Sequence, residues 1–334
     1  MSLNGKKDRI TIYEVAKASN VSLATVSRVI NNHPNVREET RRIVNETIER
    51  LSYRPSALAQ GLAKNKSTNI GLVIPSANYN YISNMLSGMA DIAKIYGYLT
   101  TLFITKPIEE DNNQMTEKLI TSHVDGAVIY DDKLNDDSLR LIQNYKIPLV
   151  IIGREMDGDL LSSIVIDYKT PLLQVVSNYY KCGGDNIVYL THDNQGNILN
   201  NLAENVNDFS TAQDKHITFM NVEDNYSLLY ERMLEYFKTH KKGYFIVPRD
   251  SFALAIVNAA IESGLSVPDD IEVLSIIGTK YSYMHRPMIS SLNVDMFEVG
   301  SIAMRMLTKI LDNSLKSKVF RFKAEYVSRQ STKK

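Results

Sequence analysis

At 334 residues the chain has the length of about two domains, and an apolar fraction of 44% is enough for sizeable buried cores. Its 38 Lys/Arg balance 38 Asp/Glu, so total charge singles out neither a polyanionic nor a polycationic partner. The sequence has no run of about 20 apolar residues that would span a membrane, and its one cysteine, Cys182, excludes an internal disulfide framework.

The start, MSLNGKKDRI, has no apolar segment followed by a small-residue cleavage site, and a cytoplasmic protein is the expectation. The charge is unevenly spread. Residues 1–66 hold twelve Lys/Arg against six Asp/Glu, a net +6 that leaves −6 for the remainder. A basic head on an acidic body is the asymmetry expected when only the head meets a polyanion. Thr11 followed by Glu14 forms a capping box, and Ile12, Val15 and Ala16 supply the inner face of a helix ending near Ala18. Ser19-Asn20-Val21 then reads as a tight turn, with Ser22 capping a second helix that runs to Val29 or Ile30.

That second helix has two unlike faces. At 100° per residue, Val26, Val29 and Ile30 share a narrow apolar stripe. Ala24, Thr25, Ser27, Arg28 and Asn31 fill the opposite arc, which is small, hydroxylated and amide-bearing. Two short helices joined by a three- or four-residue turn are the helix-turn-helix unit, whose second helix enters the DNA major groove. Arg28 then has the fork for guanine O6 and N7, and Leu23 and Ala24 suit thymine methyls. Tyr13, Thr25, Ser27 and Asn31 suit phosphate oxygens, which hold register without reading sequence. Spacing alone also admits an ordinary surface helix of a helical bundle.

A third helix is predicted from Glu38 to Leu51, with Val44, Ile48 and Leu51 facing inward and Arg41, Arg42 and Arg50 outward. In YRPSALAQGLAKNKSTN, Pro55 suits a helix start, Ala57 to Leu62 could form one and a half turns, and KNKST is a polar tether. So short a helix needs a partner. The stretch ITIYEVAKASNVSLATVSRVINNHPNVREETRRIVNETIERLSYRPSALAQGLA resembles the DNA-binding head of the lactose- and galactose-repressor family, through its TVSRV core and its Y-R-P-x-A-x-A hinge. The resemblance implies a bacterial transcriptional regulator, nucleoid-associated when bound, that binds double-stranded operator DNA as a homodimer on a pseudo-palindrome. It implies a hinge helix containing Pro55, Ser56, Ala57 and Ala59, and it places Leu62 at a wedge position that opens a base step in the minor groove. Arg37 departs from the serine cap common in relatives, and Ser56 from their asparagine.

From Asn69 onward, strand-like runs at 70–74, 99–104, 124–130, 148–153, 163–167, 186–191, 217–222, 244–247 and 272–277 alternate with helical patterns. Examples of the latter are 82–96, 170–182, 227–240 and 251–263. This alternation predicts an α/β body of parallel sheets covered by helices, and nine strand units suggest two lobes with a ligand between them. The family resemblance extends over this region and implies a periplasmic-binding-protein-like body. The expected organisation is a head at 1–55, a hinge and linker at 56–68, and a body at 69–334. Its N-terminal lobe takes 69–166 plus about 294–323, and its C-terminal lobe 167–293 plus about 324–334.

Within the family, DIEVLSIIGTKYSYMHRPMISSL, VGSIAMRMLTKIL and the ending RQSTK are similar to the catabolite-control branch. That similarity implies a protein co-regulator, the serine-phosphorylated phosphocarrier HPr, resting on the helix that begins near Met296. Met296, Phe297, Ser301, Ile302 and Arg305 hold the corresponding positions, and core or dimer packing explains Met296, Phe297 and Ile302 equally well. Glu325 stands where the resemblance implies a phosphoserine-gripping arginine; the reversal repels a dianion unless Lys323 or Arg321 substitutes. The implied effector is a small sugar or sugar phosphate, with Asp250 at the hydroxyl-acceptor position and Tyr79 and Tyr81 at a ring-stacking loop. The usual acidic loop is instead SIIG, Ser275 to Gly278, so Ile277 replaces an acceptor, and NILNNLAENVNDF offers no arginine clamp. Either the effector differs or the cleft is vestigial.

Enzyme chemistry finds no footing. GxxxxGK[ST], GxSxG and HExxH are absent, and six scattered histidines have no metal spacing, so no catalytic residue, metal or cofactor is expected. The rival readings are a repressor of one sugar operon answering to a small inducer, and a sugar-binding protein or enzyme carrying an incidental head.

Overall fold

The computed structural model describes residues 10–54, 68–75, 80–105, 109–130, 134–193 and 195–333, arranged as two units, Met1–Thr68 and Asn69–Lys334. Pro55, Ser56, Ala57, Ala59, Leu62 and Tyr79 lie outside the described residues.

The first unit contains α1 (Ile12–Ser19), α2 (Leu23–Ile30) and α3 (Glu38–Arg50). The capping box forms: the Thr11 backbone N–H and hydroxyl donate to Glu14 Oε2 at 2.6 and 3.0 Å. These bonds hold the Glu14 carboxyl below its usual range. Asn20 ends α1 in the left-handed conformation, φ 52°, which asparagine tolerates better than most side chains. The chain can therefore turn sharply, and Val15, Val26, Val29, Val44 and Tyr53 close into one small core. Arg37 sits at the N-cap of α3 without a side-chain capping bond.

The body unit holds two six-stranded sheets. The first comprises β1 (Asn69–Ile74), β2 (Leu99–Ile104), β3 (Gly126–Ile129), β4 (Leu149–Ile152), β5 (Leu161–Asp167) and β11 (Val319–Lys323), in the order β11-β5-β4-β3-β1-β2, all parallel. It is flanked by α4 (Asn80–Ile95), α5 (Glu109–Thr121), α6 (Asp136–Asn144) and α12 (Met296–Leu311). The second comprises β6 (Ile187–His192), β7 (Ile217–Val222), β8 (Gly243–Arg249), β9 (Ile271–Ile277), β10 (Ser290–Asn293) and β12 (Glu325–Val327). Its order is β12-β10-β9-β8-β6-β7, with only β12 antiparallel. Its helices are α7 (Lys169–Lys181), α8 (Asn197–Thr211), α9 (Tyr226–Tyr236), α10 (Asp250–Glu262) and the short α11 (Lys280–Met284).

Central strands such as GAVI and LVII are buried on both faces, which is why they read as unbroken apolar runs. The chain passes between the sheets three times: after β5, after β10 and between β11 and β12. Where the first and third crossings meet, the Ala324 N–H donates to the Asp167 carbonyl at 3.1 Å.

Nine strand-like runs are expected, and twelve strands form among the described residues. β10, SSLN, has no apolar run because hydroxyl pairs replace hydrocarbon: Ser290 and Ser291 are wholly buried, with Ser290 Oγ 2.7 Å from Thr332 Oγ1 and Ser291 Oγ donating to Asn293 Oδ1 at 2.8 Å. The helix expected over 227–240 stops at Tyr236.

Candidate nucleic-acid interface and ligand cleft

The outward face of α2 is built from its N-terminus. Ser22 caps the helix, its Oγ accepting the Thr25 N–H at 3.1 Å and lying 2.8 Å from the Thr25 hydroxyl. No acidic residue occupies the first turn, so the partial positive charge of the helix start is uncompensated. With Val26 and Val29 turned into the core, Leu23 is 37% exposed, and Ala24 and Arg28 are exposed beside it. Ser27 is half-buried, and Asn31 Nδ2 donates to the Ser27 carbonyl at 2.9 Å. Tyr13 on α1 is 70% exposed.

The cations of the unit divide by task. Arg41 Nη2 donates to the His33 carbonyl at 2.8 Å, and Arg42 pairs with Glu46 at 3.0 Å. Among the described residues no carboxylate pairs with Arg28. Its guanidinium is thus available to an external acceptor.

Between the lobes, at the C-terminal ends of the strands, lies a cavity of about 80 Å³. Tyr81, Tyr130 and Tyr168 line it with Ile152, Ile198 and Ile277. The Tyr81 and Tyr130 rings meet edge to face, with centroids 6.2 Å apart. Burial pushes the Tyr168 phenol far above its ordinary range. Such a lining suits a small ring or apolar body, and its volume is well below the roughly 300–1,000 Å³ of ordinary ligand pockets.

Of the four described residues assigned to this cleft, Tyr81 and Ile277 line the cavity and the other two do not. Asp250 is 3% exposed and accepts both the backbone N–H and the hydroxyl of Thr279, at 2.8 and 2.5 Å. Burial pushes its carboxyl up, against the lowering effect of those bonds. Ser275 is wholly buried, and its hydroxyl donates to the Ile277 carbonyl at 2.7 Å. In this structure both are engaged internally. Tyr130 and Tyr168 escaped sequence reasoning although they directly follow β3 and β5, where ligands of open α/β sheets gather.

The proposed co-regulator positions on α12 also separate. Met296 and Ser301 are each 6% exposed, and Ser301 Oγ donates to the Gly88 carbonyl at 3.4 Å, which sets Ser301 against α4. Phe297 is 44% exposed, Ile302 half-buried and Arg305 exposed. Arg321 makes a two-pronged pair with Glu155, Nη1–Oε2 2.9 Å and Nη2–Oε1 2.7 Å, while Lys323 and Glu325 are exposed. Among the described residues no group of three or more His, Cys, Asp and Glu could hold a metal ion, and no helix is long and apolar enough to cross a membrane.

Comparison with known proteins gives two family matches: residues 11–56 match bacterial regulatory proteins of the lacI family, and residues 185–332 match the periplasmic binding protein-like domain. Catabolite control protein A of Priestia megaterium is 31% identical over 97% of this chain and 99% of its own length. The HTH-type transcriptional regulator pepR1 of Lactobacillus delbrueckii subsp. lactis is 30% identical over 98% of each. Among solved structures, the lac repressor dimer bound to operator and the anti-inducer ONPF superposes with a TM-score of 0.81 at 21% identity, covering 97% of this chain and 99% of that one. Transcription regulator CcpA of Lactococcus lactis gives 0.65 at 22%, covering 79% and 99%.

Proposed function

The chain belongs to the lacI family of bacterial regulatory proteins and is a transcriptional regulator, and on that premise we propose how it reads DNA and what it answers to. As a homodimer it places α2 of each subunit in a major groove of operator DNA, one half-site per recognition helix. Arg28 reads guanine, Leu23 and Ala24 contact thymine methyls, and Tyr13, Thr25, Ser27 and Asn31 hold phosphates. Leu62, with Pro55, Ser56, Ala57 and Ala59 as its hinge, enters the minor groove between the half-sites. The observation that carries this reading is the outer face of α2, where Arg28, paired with no carboxylate among the described residues, stands beside small and hydroxylated side chains. The genes governed are those of carbohydrate use or catabolite control.

Selection from a random duplex library tests it. Enrichment of a pseudo-palindrome, bound with an affinity that falls steeply as salt rises, is the expected result, because each neutralised phosphate releases counterions. No enrichment, or binding indifferent to salt, contradicts the reading.

A second reading concerns the signal. The exposed Phe297 and Arg305, with the half-buried Ile302, form an accessible strip on α12 that supports docking of a phosphocarrier protein such as serine-phosphorylated HPr. Among its described lining residues the inter-lobe cavity offers a hydroxyl-rich sugar tyrosine hydroxyls but no carboxylate, side-chain amide or cation, which favours a protein co-regulator over a sugar or sugar phosphate. Titrating phosphorylated HPr and, separately, small sugars against the protein on its selected operator distinguishes the two by which one shifts DNA affinity.

A further inference from the structure

The second lobe carries a larger cavity, about 650 Å³, at the opposite end of its sheet from the inter-lobe cleft. Ile277 at the end of β9 lines the cleft, whereas Glu272 at the start of β9 lines this one. About 3.3 Å per residue separates the two sites by some 16 Å along the strand. The walls are the last turns of α7, the loop that follows it, the first residues of β8 and β9, and the C-terminal tail.

Three tyrosines face this space. Tyr179 donates its hydroxyl to the Asn186 carbonyl at 3.3 Å, and the Tyr326 hydroxyl lies 2.8 Å from Thr332 Oγ1. Tyr244 differs. It is 2% exposed, its ring lies 4.5 Å from that of Tyr179 by centroids, and its buried hydroxyl has no hydrogen-bond partner among the described residues. A buried hydroxyl left unpaired at a cavity wall is unfavourable unless something in the cavity completes it.

The charge around it is one-sided. Among the described residues that line it, Asp185, Asp269, Asp270 and Glu272 oppose Lys242 and Lys333. The Lys333 ammonium is taken by the Asp269 carbonyl at 3.0 Å. Glu272 pairs with Tyr244 across β8 and β9. One of its oxygens accepts the Lys333 backbone N–H at 2.7 Å, yet burial still pushes the carboxyl above its ordinary range, against the lowering effect of that bond and of the Lys333 charge.

We propose that this cavity is a second small-molecule site, separate from the inter-lobe cleft, which takes an organic cation consisting of an ammonium group on an aromatic or apolar body. The Tyr179 and Tyr244 rings pack on each other, and their shared edge forms the wall against which the body lies. The ammonium donates to Glu272 and to the Tyr244 hydroxyl oxygen. The volume falls within the range of ordinary small-molecule pockets. This site is independent of how the head reads DNA.

The test is calorimetric titration of the full chain with tyramine, and with 4-ethylphenol as the analogue lacking the charge. Tyramine should bind saturably, and 4-ethylphenol at least about tenfold more weakly. Glu272→Gln and Tyr244→Phe, each checked for native circular dichroism, should each weaken tyramine by about tenfold. A silent tyramine titration, equal binding of 4-ethylphenol, or undiminished affinity in a folded Glu272→Gln protein overturns the proposal. If Glu272→Gln does not fold, Tyr244→Phe and the two-ligand comparison on the wild-type chain decide it.

Discussion

Gly88 on α4 and Gly300 on α12 mark one tight helix crossing, each set against a backbone carbonyl of the facing helix, Gly88 against Phe297 and Gly300 against Met85. A methyl group at either position would overlap that carbonyl oxygen, which is backbone and has no rotamer to escape into. The crossing explains why Ser301 is buried while Arg305 remains accessible on the same helix.

Alanine at Gly88 or Gly300 is therefore expected to destabilise the body. Alanine is about 1 kcal/mol better than glycine in an unconstrained helix, and overpacking costs about 1–3 kcal/mol or more, so the net effect is a loss. Urea unfolding of Gly300→Ala checks the balance; a midpoint raised above wild type would show that the helices separate without cost.

Asp250 makes stability depend on pH in a defined direction. Its folded carboxyl titrates above its ordinary value because burial disfavours the charged form. The folded state therefore takes up the proton first, and ionisation of Asp250 costs stability at neutral pH. That cost disappears as pH falls through the raised value toward the unfolded one, about 3.9. Relative to Asp250→Asn, the wild-type chain should gain stability between neutral pH and about pH 4. Denaturant midpoints measured for both proteins across that range check it, and a difference that is flat or of opposite sign contradicts it.

Glu325 gives the phosphocarrier reading its own test. With Arg321 already paired to Glu155, a phosphoserine approaching this region meets an exposed carboxylate. Glu325→Arg should increase retention of serine-phosphorylated HPr in a pull-down, and Arg305→Ala should reduce it. Equal retention of phosphorylated and unphosphorylated HPr by all three proteins would remove this reading.

The head was legible because its signals are local. Thr11 with Glu14 and Ser22 with Thr25 are bonds over three residues, and the helix starts they predict fall where the caps form. Most of the sheet was legible through its apolar runs, but β10 was not, since buried serines satisfied by Thr332, some 42 residues away, look like a loop. The Gly88–Gly300 crossing was invisible for the same reason: Ser301 reaches the Gly88 carbonyl across 213 residues. In the cleft, Asp250 and Ser275 hold positions that a resembled pattern marks, but their polar atoms bond to Thr279 and to the Ile277 carbonyl. Tyr130 and Tyr168 belong to no motif, and only the strand ends preceding them reveal their place.

The most direct test of the central claim compares wild type with Arg28→Ala on the selected operator and on a scrambled duplex at one salt concentration. If α2 reads bases through Arg28, the variant loses about 1–3 kcal/mol on the operator, prefers one base pair less strictly and keeps its affinity for the scrambled duplex. An equal loss on both duplexes would make Arg28 a phosphate contact and contradict base reading by this side chain.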